Sequence, residues 1–280
     1  MKKLRWAAAP GLAAALAVGL GQAQRSAREA DQERGGELPT WKVDEPFKKD
    51  VFTFVRVKYS VSGTHGYGHR PDFRWAIDFP DSDLNFSFRL QQVTSIKVNP
   101  DGKVLELTDK ELFDYPFIYI VEPGRLTFTD EEVPILRRYL LNGGFLMCDD
   151  FWGDREWASF HLELKRVFPE REPIELPLSH PIFHCVFDLK EKPQVPGIDW
   201  GIQSEFTGVT YERNHGPGCE EVHYRAIFDD RERIMVMLCH NTDLGDGWER
   251  EGESEYYFKE FSEKRAYPLG INIVFYAMTH

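Results

Sequence analysis

Hydrophobic and polar positions alternate along several short stretches of the chain, and this pattern predicts an α/β protein. Val51–Tyr59 alternates in its latter half, as a half-buried strand does. Phe73–Asp78 and Val104–Leu107 predict two further short strands. Phe117–Val121 and Phe145–Cys148 are almost continuously apolar, which is typical of parallel strands that are covered on both faces.

A helix is predicted between the last two of these strands. Thr129 and Glu132 have the spacing of a capping box, in which each side chain binds the backbone N–H of the other residue. Val133, Leu136 and Leu140 follow at helical spacing, and a glycine pair ends the helix. Strand, helix and strand in this order predict a βαβ unit with a right-handed crossover.

The rest of the chain gives weaker signals. Four further elements are predicted: a helix that begins at Asp81 or Ser82, a helix over about 155–168, a hairpin of Val222–Phe228 and Arg233–Cys239, and a buried closing helix over Leu269–Met278. Ile182–Phe187 is ambiguous between a strand and a short helix.

The N-terminus has the three parts of a secretory signal peptide. A short basic stretch precedes an apolar run over 6–20, and small residues follow it, so we expect residues 1–23 to be removed after Ala23. An uncleaved anchor is the alternative, although the run is short for a membrane span. Residues 24–46 are charged and predict a disordered tether, and 47–280 predict one α/β domain. The protein is therefore expected in the periplasm or outside the cell.

Charge and cysteine content limit the possible partners and the redox chemistry. The chain has a net charge of −12, and cleavage after Ala23 would leave 31 basic against 46 acidic side chains. Such a surface repels phosphate backbones, so we expect no nucleic-acid partner. Two disulfides are possible for the four cysteines, but most of these residues lie in apolar runs, which favours buried free thiols.

Several segments together resemble the bacterial domain-of-unknown-function family 4159. The resemblance rests on Asp83–Phe86, Val121–Gly124, Leu140–Met147, Asp149–Gly153, His180–His184 and His240–Asp243, and it extends over about 51–280. It implies a fold similar to class I glutamine amidotransferases, which is flavodoxin-like with a mainly parallel sheet and helices on both faces. It also implies a gene neighbourhood of MoxR-type ATPases and von Willebrand A-domain proteins. It implies no activity, and a fold alone supplies none.

The amidotransferase nucleophile has no good counterpart in this chain. In those enzymes a cysteine lies between small residues on a sharp strand-to-helix turn. Cys148 lies at best one position early and has Met147 and Asp149 as neighbours. A carboxylate beside the sulfur raises the pKa of the thiol, so we expect no cysteine hydrolase here.

Asp149 and Asp150 are the better candidates for a functional site. They follow a predicted central strand, and open α/β sheets bind ligands at the carboxyl ends of their strands. Neighbouring side chains of a strand point to opposite faces, so we expect one of the two to face a crevice. The alternative is that they cap the next helix. His184 and His180 are four residues apart, as paired zinc ligands are, but structural histidines are favoured.

The loop after the last predicted strand is the other candidate. It concentrates oxygen ligands beside glycines, which suits Ca²⁺ or Mg²⁺, and a purely structural polar loop is the alternative. The candidate crevice contains Asp149, Asp150, Trp152, His184, His240, Asn241, Asp243, Asp246 and Trp248. Asp149, His240 and Asp243 are the candidate ligands of a divalent cation, which could be Ca²⁺, Mg²⁺ or Zn²⁺. A glycine- and histidine-rich loop over 63–69 is a possible lid.

Three functions follow from these expectations. The first is a non-catalytic domain that binds a ligand or partner in an envelope assembly beside a MoxR-type ATPase and von Willebrand A-domain proteins. The second is a hydrolase whose divalent metal activates water in the crevice of Asp149, Asp150 and the 240–246 loop. The third, a weaker one, is sugar recognition through Trp152 and Trp248.

Overall fold

The structure is a computed structural model that describes residues 26–47, 50–60 and 73–280. The predicted signal peptide and the 63–69 loop lie outside the described residues. Seven strands form one sheet in the described part of the chain: β1 (Val55–Val57), β2 (Lys103–Leu105), β3 (Phe117–Val121), β4 (Phe145–Phe151), β5 (Ile174–Glu175), β6 (His223–Phe228) and β7 (Ile234–His240). Their order is β2-β1-β3-β4-β7-β6-β5.

The sheet is mainly parallel, with an antiparallel edge. Strands β2, β1, β3, β4 and β7 run parallel, whereas β6 and β5 are antiparallel to their neighbours. The helices are α1 (Ala27–Glu33), α2 (Asp81–Val93), α3 (Glu132–Leu141), α4 (Gly153–Val167), α5 (Ile198–Thr207), α6 (Leu244–Glu249), α7 (Glu255–Tyr257) and α8 (Tyr267–Thr279), with a π-helix over Phe258–Ala266. The architecture is the predicted α/β class and is consistent with a flavodoxin-like fold.

The predicted βαβ unit is confirmed. Strands β3 and β4 pair in parallel from Phe117 opposite Phe145, and α3 connects them. The capping box forms in both directions: Thr129 N donates to Glu132 Oε2 (2.7 Å), and Glu132 N donates to Thr129 Oγ1 (3.2 Å). Pro134 is the third residue of α3, in the first turn, where a missing N–H costs little.

Both faces of the central strands are buried, as the continuous apolar runs predicted. On one face, Tyr119 packs with Trp248 of α6 and with residues of α2 and α8. On the other face, Ile118 lies with Leu140 of α3 and Phe160 of α4. Each face therefore has its own apolar core, and the sheet lies between them.

The N-terminal segment differs from the expected tether. Ala27 and Ala30 of α1 are buried, and the Arg28 guanidinium donates to the carbonyl oxygens of Pro39 (2.7 Å) and Pro100 (3.0 Å). Because few residues of the segment are apolar, its composition alone suggested disorder. Its order comes instead from a buried ion pair between Arg28 and Asp31 and from these contacts to the domain.

Four other local predictions can be compared with the backbone. Phe73–Asp78, predicted as a strand, contains a short 3₁₀ helix at Arg74–Ala76, and that prediction is wrong. The ambiguous 182–187 segment contributes to a 3₁₀ helix at Pro181–Phe183. The hairpin of β6 and β7 and the closing helix α8 are confirmed. No helix among the residues described is long and apolar enough to cross a membrane.

Candidate functional site

The carboxyl ends of β4 and β7 are joined by backbone hydrogen bonds. Asp150 N donates to Thr242 O (3.1 Å), and Asn241 N donates to Phe151 O (2.9 Å). The Asn241 side chain adds a third link, because its Oδ1 accepts from Gly153 N (2.8 Å). The two candidate loops therefore meet where the parallel strands end, as their positions after parallel strands predicted. This carboxyl end of the parallel strands is called the sheet edge below.

Left-handed backbone conformations are concentrated at this edge. Among the described residues, five that are not glycine have positive φ. Four of them lie here: Asp78 (62°), Glu122 (46°), Asp150 (56°) and Asn241 (62°). Residues with side chains rarely adopt this region, and Asp and Asn tolerate it best. Strain of this kind is often found at functional sites, where the surrounding structure maintains it.

Asp149 is fully buried, and its side chain points toward Tyr119 and Gly245. Its Oδ2 accepts hydrogen bonds from Tyr119 Oη (3.1 Å) and from Gly245 N (3.0 Å), whereas its Oδ1 is buried and has no hydrogen-bond partner among the residues described. Burial raises the pKa of Asp149 to about 7, although both hydrogen bonds oppose the shift. The carboxylate does not cap α4, which begins four residues later at Gly153, so the alternative of a cap is wrong for this residue.

Asp150 leaves the strand at a β-bulge between Cys148 and Phe151. Its Oδ1 accepts from Trp152 Nε1 (2.9 Å), and it does not cap α4 either. Burial raises its pKa well above the usual range, with further contributions from Glu122, Glu212, Asp78 and Asp149. The bulge interrupts the alternation of a regular strand here, and both aspartates are buried. The expectation that one of the two faces a crevice stays a prediction.

Asp243 and Asp246 have local structural partners. Asp243 Oδ1 accepts from Asp246 N (2.7 Å) and so caps α6. Asp246 Oδ2 accepts from Ile198 N (2.5 Å) at the start of α5, and its Oδ1 accepts from Arg250 Nε (2.9 Å). The backbone at the start of α5 and the Arg250 guanidinium therefore hold both oxygens of Asp246 in place.

A group of three carboxylates, hereafter the Asp78 cluster, lies beside these residues. Asp78, Asp246 and Glu249 each offer one oxygen, and these three oxygens lie within 4.8 Å of one another. Asp78 is 8% exposed, and its Oδ2 is buried without a hydrogen-bond donor in the part of the chain that the structure describes. Burial, followed by the charges of Asp246 and Glu249, raises the pKa of Asp78 well above its usual range. Burial raises the pKa of Glu249 to about 7.

The nearby buried arginine does not neutralise this cluster. Arg56 is fully buried, and its Nε and Nη2 donate to both oxygens of Asp83. Its Nη1 donates to the carbonyl oxygens of Trp75 and Ile77, each at 3.0 Å. Arg56 therefore forms a satisfied pair with Asp83 and holds the backbone that precedes Asp78. Arg250 is the cation that contacts the cluster, through Asp246 Oδ1 (2.9 Å) and Glu249 Oε2 (2.7 Å), so three carboxylates share one guanidinium.

His240 is not available as a metal ligand in this arrangement. Arg225 Nη1 lies 3.1 Å from its Nδ1, and because a guanidinium only donates, Nδ1 must accept. Its Nε2 then donates to Gly153 O (3.1 Å), and burial lowers its pKa to about 3. The ring also stacks on Phe151. Among the described residues, Asp149, His240 and Asp243 do not form a group with metal-ligand spacing, whereas Asp78, Asp246 and Glu249 do.

The other predicted residues have structural partners. His184 Nδ1 lies 2.6 Å from Asp188 Oδ1, and its Nε2 lies 2.7 Å from Leu178 O. Both ring nitrogens therefore have partners that are not members of the candidate site. Trp152 and Trp248 are completely buried. The sugar-recognition hypothesis is wrong for these two tryptophans, because neither presents a face on which a sugar could stack.

The thiols are buried or half-buried, as expected, and all four cysteines are free. Cys148 is fully buried, and burial followed by the charge of Asp149 raises its pKa well above the usual range. Cys239 is fully buried as well, and its pKa is raised for the same two reasons. Neither sulfur has the exposure or the low pKa of a nucleophile.

The family model described as Domain of unknown function (DUF4159) matches residues 53–278, which is most of the chain. The chain belongs to this family. The matched range includes the whole sheet edge and every member of the Asp78 cluster. No curated protein matches the chain.

Sequence reasoning missed Asp78 and Glu249 for different reasons. Asp78 was assigned to the end of a strand, whereas it follows a 3₁₀ helix and has a left-handed backbone. Glu249 lies one turn after Asp246 on α6, and the spacing of three residues places both on one side of a helix. This spacing indicates a shared helix face only if the segment is helical, and its glycines and polar residues predict a loop instead.

Proposed function

We propose that this domain is a non-catalytic binding module that takes up a divalent cation at the Asp78 cluster. The observation that carries the proposal is the Asp78 carboxylate, which lies beside two further carboxylates and whose buried Oδ2 has no donor among the described residues. A buried oxygen of this kind costs free energy unless a proton or a cation satisfies it. A cation would also offset the negative charge that is left when the three carboxylates of the cluster share the Arg250 guanidinium.

The ligand chemistry favours a hard cation. Three carboxylates without a nitrogen or sulfur ligand suit Ca²⁺ or Mg²⁺, whereas Zn²⁺ sites usually contain histidine or cysteine. Two oxygens bound to one Ca²⁺ at about 2.4 Å can be up to about 5 Å apart. The 4.8 Å spread of the oxygens of Asp78, Asp246 and Glu249 meets this condition.

The same contacts favour binding over hydrolysis. The hydrolase hypothesis required His240 in the metal site, and both of its ring nitrogens bind Arg225 and Gly153 instead. A cysteine route would need an accessible thiolate, and Cys148 and Cys239 are fully buried. On the family resemblance, we place the module in an envelope assembly beside MoxR-type ATPases and von Willebrand A-domain proteins.

Cation binding is tested by titrating the metal-free protein with Ca²⁺, Mg²⁺, Mn²⁺ and Zn²⁺ in a calorimeter. We expect saturable binding of Ca²⁺ or Mg²⁺, and a stabilisation of about 2.7 kcal/mol at a hundredfold excess over Kd. Asp78→Asn should weaken the affinity at least tenfold. Asparagine suits this test because it tolerates the left-handed backbone of Asp78.

Asp230→Asn is the matched control, because Asp230 is exposed and carries the same charge. The control should bind as the wild type does. Equal affinity in Asp78→Asn and wild type would contradict the proposed site, and so would the lack of saturable binding of any of the four ions. Binding of Zn²⁺ that depends on His240 would favour the metal-hydrolase hypothesis instead.

Export is part of the proposal and has its own test. The basic start, apolar run and small residues of 1–23 predict cleavage after Ala23. N-terminal sequencing of the protein from the envelope fraction of its native host should begin at Gln24. A chain that retains Met1 in the cytoplasmic fraction would contradict export.

A further inference from the structure

A second site is indicated by an open cleft on the carboxyl side of the sheet. The cleft has a volume of about 540 Å³, which lies within the usual range for small-molecule sites. Its polar lining includes Arg74, Arg125, Arg155, Ser159, Asn214 and His215. Three arginines in one cleft stand out in a chain with a net charge of −12.

The cleft lies at the point where the order of the strands reverses. From β1 the chain moves to β2 on one side, and it then returns to β3 on the other side of β1. Arg74 belongs to the connection that leaves β1, and Arg125 belongs to the turn that follows β3. In open α/β sheets, the crevice between two such connections is where ligands usually bind.

The acidic side chain in the lining is already neutralised. Glu156 Oε2 accepts from Trp152 N (2.9 Å), and its Oε1 lies 3.4 Å from His215 Nδ1. His215 also contacts Glu212 through Nε2 (3.1 Å). These two carboxylates raise the pKa of His215 to about 9, so the ring stays cationic at neutral pH. Glu156 therefore does not cancel the positive charge of the arginines.

The arginines differ in how far the protein already uses them. Arg74 forms an ion pair with Glu122, which fixes its guanidinium at the side of the cleft. Arg155 is exposed in the first turn of α4, and it has no ion pair or hydrogen bond with the part of the chain that the structure describes. The amino end of a helix adds positive potential at the same place.

We propose that this cleft binds a small molecule through an anionic oxo group, a phosphate or a carboxylate, held by Arg74, Arg125 and Arg155. The planar guanidinium group donates two parallel hydrogen bonds to either kind of oxyanion. Ser159 and Asn214 supply neutral polar groups for the remainder of the ligand. This site takes up an anion and is separate from the cation site of the Asp78 cluster.

The test is a calorimetric titration of the purified protein at constant ionic strength with inorganic phosphate and, separately, with acetate and succinate. We expect saturable binding of at least one of them. Phosphate alone would identify a phosphate site, and succinate or acetate alone would identify a carboxylate site. Saturable binding of none of the three would overturn the proposal.

Variants separate the cleft from general electrostatic attraction. Arg155→Ala should weaken anion binding at least tenfold. Because Arg155 is exposed, the melting temperature of this variant should match that of the wild type. Arg231→Ala removes the same charge from an exposed residue in the turn between β6 and β7, and should change the affinity less than twofold. Equal losses in both variants would show non-specific attraction and overturn the proposal. Asp78→Asn should leave anion binding unchanged, so that failure of the cation site is distinguishable from failure of the cleft.

Discussion

The backbone N–H of Gly245 donates a 3.0 Å hydrogen bond to Asp149 Oδ2, and this bond fixes α6 against the carboxyl end of β4. The same glycine allows Asp78 to approach. A Cβ atom at position 245 would lie 2.4 Å from Asp78 Oδ2 and 3.1 Å from Tyr119 Oη. Because Gly245 has no side chain, the buried carboxylates of Asp78 and Asp149 can both approach the start of α6.

Gly245→Ala should destabilise the protein and weaken cation binding. Overpacking of this kind typically costs about 1–3 kcal/mol, which exceeds the gain of up to about 1 kcal/mol from the better helix propensity of alanine. Urea unfolding of the wild type and the variant measures the difference. In the double variant Gly245→Ala, Asp78→Ala, the cost should be smaller than the sum of the two single costs, because the clash is removed. Strict additivity would contradict the contact.

Asp149 should make the metal-free protein less stable as the pH rises from about 5 to 7. Its pKa in the folded state is about 7, above the ordinary value of 3.8. In this window the unfolded chain has lost the proton and the folded chain still holds it, so the free energy of unfolding falls with pH. The loss amounts to a few kcal/mol, since one pKa unit corresponds to about 1.4 kcal/mol.

Asp149→Asn isolates this contribution from the other titrating groups. The asparagine carries no titrating proton, so the free energy of unfolding of the variant should fall less steeply between pH 5 and 7 than that of the wild type. Urea unfolding at four pH values measures both slopes. Parallel slopes would show that Asp149 does not titrate in this range. His215, whose raised pKa contributes stability that is lost as the pH rises through about 9, affects both proteins equally.

Leu140 and Leu141 provide a matched pair for the predicted core. Leu140 is completely buried between α3 and the sheet, whereas its neighbour Leu141 is 43% exposed. Leu140→Ala should cost about 2–5 kcal/mol through lost burial and a cavity. Leu141→Ala should cost clearly less, since it removes a side chain that water already reaches. Denaturant unfolding gives both values, and equal costs would contradict the orientation of α3.

Local signals were enough to predict the centre of the fold. The capping box of Thr129 and Glu132, the periodicity up to Leu140 and the apolar run of β3 act within one element or between neighbours. They therefore predicted the βαβ unit and the meeting of Asp149 with the 240–246 loop. In contrast, the contact of Asp78 with Asp246 joins segments that are distant in the chain, and it depends on a left-handed backbone that no local pattern indicated.

Composition gives the wrong prediction for two polar residues whose hydrogen-bond partners lie elsewhere in the fold. Arg28 counted toward disorder, yet its charge is balanced by Asp31 and by carbonyl oxygens of the domain. His240 counted toward a metal site, yet Arg225 and Gly153 use both of its nitrogens. In each case the residue type alone does not indicate the partner, because the partner is contributed by another part of the fold.

The last prediction concerns the cysteine that follows the apolar run of β4. Cys148 is fully buried, and its pKa is raised by burial and by the charge of Asp149, so little thiolate forms and reagents reach it only when the structure opens. Cys185 is half-buried and serves as the internal control, since the residue is more exposed to solvent than Cys148. In the native protein, iodoacetamide should therefore label Cys185 well before Cys148.

Peptide mapping by mass spectrometry over a time course measures both rates in one sample. In denaturant, where both thiols are exposed, the two rates should become similar, which controls for intrinsic differences between the peptides. Cys148→Ala should leave the cation affinity of the domain within a few-fold of wild type, because the sulfur is not part of the Asp78 cluster. Rapid labelling of native Cys148 at neutral pH would require an accessible thiolate at the end of β4, and it would restore the nucleophile that the burial of this residue argues against.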